Sequence, residues 1–142
     1  MSLFHSFDVS ASGLTAQRLR MDTIANNLAN VNTTRTERGG PYRRQMPVFA
    51  SRYLPQALGA KRGFQGAGVR VLGIVEDTDP PRLVYDPAHP DANADGYVEM
   101  PNVNVVTEMV DMIGASRAYE ANIAALNAFK NMAMKALDIG RA

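Results

Sequence analysis

The chain contains no cysteine and no tryptophan. Without cysteine, disulfide staples, thiolate metal sites and cysteine nucleophiles are excluded, and oxidation cannot trap the chain, which suits a reducing or an oxidising compartment alike. Aromatic residues make up only 7% of the sequence, so packing must rest on Leu, Ile, Val, Met and Ala. The eight methionines favour adaptable helix–helix surfaces over one rigid core. No apolar run approaches the ~20 residues needed to span a bilayer. The beginning, Met1-Ser2-Leu3-Phe4-His5-Ser6-Phe7-Asp8, lacks a basic residue followed by an apolar block and does not read as a secretory leader. Leaving the cytoplasm would then require another route. At 142 residues with 46% apolar content, the chain fits one ordinary domain, or one domain with an extended arm.

The net charge of +1 hides a lopsided distribution. Residues 31–70 carry eight basic and one acidic side chain, a balance of +7, whereas residues 71–111 carry one basic and nine acidic, a balance of −8. The two ends are nearly neutral, 0 over residues 1–30 and +2 over residues 112–142. A dipolar middle lies between them.

Both ends have helical periodicity. From about Leu3 to Asn30, Phe7, Leu14, Met21 and Leu28 recur every seven residues, with a companion track of Ser10, Gln17, Ile24 and Val31. Ser10, Ser12 and Gly13 weaken the beginning of this helix. From about Val105 to Asp138, one track is Val105, Met112, Tyr119, Leu126 and Ala133, and the other is Met109, Ser116, Ile123, Lys130 and Leu137. Asn102 or Asn104 is placed to cap the second helix after Pro101, and Gly140 to stop it. Glu108 and Asp111 lie near its positive end, Lys135 and Arg141 near its negative end.

Proline and glycine concentrate between the helices. Strand-like runs appear at residues 43–49, 69–76 and 83–85, with Gly73 read as a bulge or close approach. Residues 50–68, with Gly59, Lys61, Arg62, Gly63, Gly66 and Gly68, read as a mobile loop. The expected fold is mainly α: long N- and C-terminal helices packed as a coiled-coil-like pair, with a small irregular β-rich insert between them. The segments are an N-terminal helix over 1–34, a β- and loop-rich insert over 35–100 and a C-terminal helix over 101–142.

Chemical sites fare poorly. Asp91-Ala92-Asn93-Ala94-Asp95-Gly96 matches the opening of a calcium loop, but Asn102 stands where a bidentate Glu is needed, and Pro90 and Pro101 deny the flanking helices. An Asp- and Asn-rich turn is the preferred reading. Asp86, His89 and Asp91 are stiffened by Pro87 and Pro90 and point apart, against a metal or acid–base site. Ser10, Ser12, Ser51 and Ser116 lack a base and a nucleophile elbow. Arg35, Arg38, Arg43, Arg44 and Arg52, with Tyr42 and Tyr53, suit nucleic acid. The oppositely charged stretch that follows offers these arginines a simpler partner, within the chain or on a neighbour. No enzyme chemistry and no cofactor is expected. Periodicity alone favours an ordinary two-helix core over polymer contacts.

Particular residues shift that balance. Ser12-Gly13-Leu14-Thr15-Ala16-Gln17-Arg18-Leu19 runs on into Ile24-Ala25-Asn26-Asn27-Leu28-Ala29-Asn30-Val31-Asn32. This stretch resembles the N-terminal signature of the flagellar axial proteins of rod and hook. Glu108-Met109-Val110-Asp111-Met112-Ile113 and Ala115-Ser116-Arg117-Ala118-Tyr119-Glu120-Ala121-Asn122 are similar to the C-terminal signature of that family. The short chain and the segment Tyr85-Asp86-Pro87, His89-Pro90-Asp91-Ala92-Asn93, Gly96-Tyr97-Val98 and Met100-Pro101-Asn102-Val103-Asn104 narrow the resemblance to C-type proximal-rod proteins.

The resemblance implies a structural subunit of the flagellar basal-body rod. Its terminal helices would line an axial tube around an export channel, crossing the periplasmic space and supporting motility. Implied partners are further copies of itself, other proximal-rod proteins, the hook–basal-body adaptor at the base of the rod, the distal-rod protein and the flagellar type III export apparatus. Export would proceed without a cleavable signal peptide, with terminal helices largely disordered before assembly. The expected assembly interface comprises Leu14, Met21, Ile24, Asn26, Asn27, Leu28 and Asn30 on the first helix. On the second it comprises Met109, Met112, Ile113, Arg117, Tyr119, Glu120, Asn122, Ile123 and Leu126. Two readings of the Asn cluster stand side by side: a helix end with Asn30 or Asn32 near the C-cap, or amides bridging to neighbours. Arg117 and Glu120 are likewise either a solvated i,i+3 pair or contacts across subunits. Calcium-dependent adhesin and nucleic-acid-binding module remain the rival classes.

Overall fold

The computed structural model describes residues 3–53 and 66–140. In chain order it contains α1 (Leu3–Ala29), β1 (Gln45–Tyr53), β2 (Gly66–Glu76), β3 (Arg82–Tyr85), β4 (Tyr97–Met100) and α2 (Val105–Ile139). The helices have 27 and 35 residues, roughly half of what is described. The arrangement of two long helices around a small β region stands, but "mainly α" gives the β region too little weight. Strands β1 and β2 pair with each other, and β3 pairs antiparallel with β4, placing Leu83 opposite Glu99 and Tyr85 opposite Tyr97. β4 is not among the strand-like runs expected from the sequence.

Local chemistry explains the helix ends. At the end of α1, the Asn26 carbonyl accepts twice from Asn30, from its backbone N–H at 3.1 Å and from its side-chain amide at 2.9 Å, which closes the last turn. Asn104 caps α2: its Oδ1 accepts from the backbone of Val106 at 3.0 Å and of Thr107 at 3.3 Å. Asn102 is not the cap. Its side chain instead accepts from Arg44 N and donates to Asp79 O. Gly140 N bonds to Ala136 O at the close of α2. No basic residue lies in the last turn of α2, contrary to the expected charge complement there. Lys135 falls short of it, and Arg141 lies outside the described residues.

The chain divides into two compact units, each drawing on both helices and on the insert. The first comprises Met1–Leu19, Val48–Gly73 and Gly114–Ala142. Within it, the Phe7 and Phe129 rings meet with centroids 6.0 Å apart. Gly13 lies beneath Asn122, whose Oδ1 would be 2.9 Å from an added Cβ. The start of β2 is tied to α1 through side chains. His5 Nε2 donates to Gly66 O, and Ser12 Oγ accepts from Val69 N while donating to Val9 O. The close-approach glycine is Gly68, with φ +97° and its Cβ position occupied by Ser12 Oγ. Gly73 has open space around it and no positive φ, so the close approach expected there is not made.

The second unit comprises Arg20–Pro47 and Ile74–Ile113. Its buried apolar side chains include Ile24, Val98 and Val103. Gly96 turns the chain into β4 with φ +81°, under the ring of Tyr85, which packs edge-on against Tyr97 at 5.2 Å.

The expected stripes need one correction. On α2, Met112, Tyr119, Leu126 and Ala133 are half-buried, as their track requires. Its first member, Val105, is exposed, and so are Met109, Ile123, Lys130 and Leu137 of the companion track. The inward companion lies one residue earlier, at Glu108, Ala115, Asn122 and Phe129, with Glu108 and Ala115 both 0% exposed. Hydrophobicity pointed to the wrong residues because two positions of this face are polar: Glu108 is received by Asn27 and Arg44, and Asn122 lies over Gly13.

The loop expectation for residues 50–68 fails at both ends, which belong to β1 and β2. Residues 54–65, including Gly59, Lys61, Arg62 and Gly63, lie outside the described residues.

Candidate assembly site

The most constrained polar group of the second unit centres on Asn27 and Glu108. Asn27 lies in the last turns of α1 and is 1% exposed. Its amide donates to Gln45 O at 2.9 Å and to Glu108 Oε2 at 3.1 Å. Its carbonyl oxygen accepts from Tyr42 Oη and from Gln45 N, both at 2.9 Å. All four hydrogen-bonding positions of the amide are therefore filled from inside the chain.

Glu108, in the first turn of α2, also accepts from Arg44 Nε. Arg44 reaches Asp111 Oδ2 at 3.6 Å and Asp77 Oδ2 at 3.9 Å, while Arg20 Nη2 donates to Asp111 Oδ1 at 2.9 Å. A buried carboxylate thus gains a guanidinium and an amide, the condition under which burial of charge is tolerated. Burial, then the charges of Glu108 and Glu76, raise the Tyr42 phenol above its ordinary value. These contacts tie the end of α1, the start of β1 and the start of α2 into one register.

The expected interface residues divide by exposure. Ile24 and Asn27 are buried. Leu14, Met21, Leu28, Asn30, Met112, Tyr119, Asn122 and Leu126 are half-buried. Asn26, Met109, Ile113, Arg117, Glu120 and Ile123 are exposed. Asn26 and Asn30 bond to each other at 3.1 Å, and Thr33 Oγ1 donates to Asn30 Oδ1. Asn30 closes the helix, as the first reading has it; Asn27 is sealed inside with its amide filled from within the chain, and Asn26 remains at the surface. Neither Arg117 nor Glu120 forms an ion pair among the described residues.

Sequence reasoning missed Arg20, Tyr42, Arg44 and Gln45 as members of the clamp, and treated Glu108 only as a helix-end charge. One signal was available. Glu108 stands seven residues before Ala115 and four before Met112, on the inward side of α2. A carboxylate there requires a cation.

A separate surface feature runs along the beginning of α2. Val106, Met109, Val110 and Ile113 are 70%, 54%, 64% and 55% exposed. Their spacing places them on one helix face.

In the calcium-like turn, Asn93 Oδ1 accepts from Asp95 N and Tyr97 N, and Asp91 Oδ2 accepts from Thr34 Oγ1. Among the described residues no group of three His, Cys, Asp or Glu is arranged to hold a metal ion. Of the basic stretch, Arg38 pairs with Glu76 at 3.2 Å and Arg44 belongs to the clamp, so the arginines do not form one free patch. Among the described residues no helix is long and apolar enough to cross a membrane.

Comparison with known proteins finds relatives along nearly the whole chain. The family model "Flagella basal body rod protein" matches residues 7–35, and "Flagellar basal body rod FlgEFG protein C-terminal" matches residues 94–139. The chain is 53% identical to the flagellar basal-body rod protein FlgC of Borreliella burgdorferi, covering 98% of each chain. It is 50% identical to FlgC of Bacillus subtilis, over 99% of this chain and all of that protein. It is 44% identical to FlgC of Escherichia coli O157:H7, with the same coverage.

Proposed function

Because the chain belongs to the FlgC family of flagellar basal-body rod proteins, structural components of the rod, we propose that it assembles through its two terminal helices into the proximal part of that rod. The observation that carries this is the exposed row Val106, Met109, Val110 and Ile113 on α2. Four large apolar side chains on one face favour a partner surface over water, at about 25 cal/mol per Å2 of apolar area covered. In a tube of subunits they pack against a neighbouring helix, in a coiled-coil-like manner along the terminal helical segments 1–34 and 101–142. The insert, residues 35–100, supplies lateral contacts.

In this reading the partners are further copies of the chain, other proximal-rod proteins, the adaptor at the base of the rod and the distal-rod protein. The flagellar type III apparatus delivers the chain to the periplasmic rod without a cleavable signal peptide. The role is mechanical, with no catalytic step.

The test uses Val110→Asp and Ile113→Asp. Both side chains point to solvent in the isolated chain, so the circular dichroism spectrum stays unchanged. Rod incorporation and swimming in a strain lacking the native gene are lost. Normal swimming of both variants would overturn the role assigned to this row.

A further inference from the structure

We infer that the outward face of β2 on one copy of this chain docks on the outward face of the β3–β4 hairpin of the next copy. This rests on the rod-subunit reading and names residues for its lateral contact. Strand alternation places Arg70 and Leu72 on one side of β2, and both are exposed, Leu72 at 60%. On the hairpin, directly opposed residues share a face, so Leu83, Tyr85, Tyr97 and Glu99 form a single surface. Leu83 and Tyr85 are more than 60% exposed, and Glu99 lies beside them.

The charges show what covers each face. Residues 31–70 and 71–111 carry +7 and −8, and part of this cancels within the chain through Arg38–Glu76 and the Arg44 pairs. Of the charges without an ion-pair partner among the described residues, which also include Arg35, Arg43, Arg82, Asp79 and Asp86, Arg70 and Glu99 are the ones that lie on these two faces. One face thus presents a cation beside a leucine, and the other a carboxylate beside a leucine and two tyrosines. Arg70 meets Glu99 and the tyrosine faces, which attract a guanidinium through their π electrons, while Leu72 meets Leu83. The two patches differ, so the contact is heterologous. Repeated head to tail, it generates rings or open helical arrays rather than closed dimers, the symmetry a rod requires.

Charge reversal tests the pairing. Arg70→Glu and Glu99→Arg each reduce incorporation into isolated basal bodies at least several-fold, and the double variant restores it. Two normal single variants, or a double variant no better than either single, would overturn the pairing. The natural absence of cysteine permits a second test. Differently tagged Leu72→Cys and Leu83→Cys chains, expressed together and oxidised in cells, give a disulfide-linked heterodimer, and neither gives a homodimer alone. A homodimer from one variant, or no heterodimer in cells that swim, removes the contact but leaves the rod assignment intact. Failure of the unsubstituted tagged chain to enter basal bodies would instead remove the rod assignment.

Discussion

Asn26 and Asn27 are adjacent and chemically identical, yet replacing each by alanine should have very different consequences. Asn27→Ala deletes four hydrogen bonds from a site that is 1% exposed. Two of the groups set free are the N–H and C=O of Gln45, at the first position of β1. Each stranded backbone group costs about 1–3 kcal/mol when water cannot reach it. Tyr42 retains a 3.3 Å contact with Asn26, and Glu108 retains Arg44, so these two lose less. The sum is a loss of about 3–5 kcal/mol, a large part of the about 5–15 kcal/mol that holds a typical domain folded. Asn26→Ala removes three bonds of 3.1, 3.3 and 3.4 Å, all at an exposed site where water can replace them, and should change stability by less than about 1 kcal/mol. Urea denaturation of the purified variants, followed by circular dichroism, measures both. Similar midpoints for the two variants would show that the buried amide does not hold the second unit together.

Other consequences follow from neighbouring geometry. Glu108→Ala leaves the half-buried Arg44 with Asp77 and Asp111 but without its closest counter-charge, and should cost about 1–3 kcal/mol in the same urea assay. Tyr42 retains its proton longer in the folded chain than in the unfolded one, so stability should be unaffected below the ordinary tyrosine pKa and should fall as pH rises from there toward the raised folded value. Tyr42→Phe should flatten that alkaline decline, read from melting temperature against pH. Gly68→Ala forces a β-carbon onto Ser12 at a positive φ and should cost at least about 1–2 kcal/mol, whereas Gly73→Ala meets open space and should be neutral or slightly stabilising by thermal melt.

How much was legible in the sequence depended on whether a signal was local. Both long helices were placed within a residue at each end because seven-residue recurrence and the Asn104 cap are local. The calcium-like turn was recognised as a turn for the same reason: proline and asparagine fix it without outside help. The second track of α2 was misplaced because the inward position is decided by what the partner offers. Asn122 faces inward where Gly13 makes room for it, and Glu108 faces inward because Arg44 and Asn27 receive it. Those partners are 109, 64 and 81 positions away, beyond any window of periodicity. The distinction between Asn26 and Asn27 was invisible on the same grounds: helix rotation by one residue moves a side chain from the clamp to the surface.

The resulting arrangement inverts the usual division of an amphipathic helix. At the beginning of α2 the fully buried residue is a carboxylate, while Val106, Met109, Val110 and Ile113 face outward. An isolated globular domain gains nothing from this, since the apolar row contributes only when something covers it. A subunit built to join others gains two things. Buried polar contacts tolerate no slippage, because a shift of one residue would strand Glu108, Arg44 and Asn27 together. In the proposed rod the apolar row tolerates substitution while supplying association energy through the area it covers. Register is therefore set inside the chain, and adhesion is left to the outside. On this argument, exchanging Val110 for another aliphatic residue changes the rod little, whereas Glu108 can be exchanged only together with Arg44.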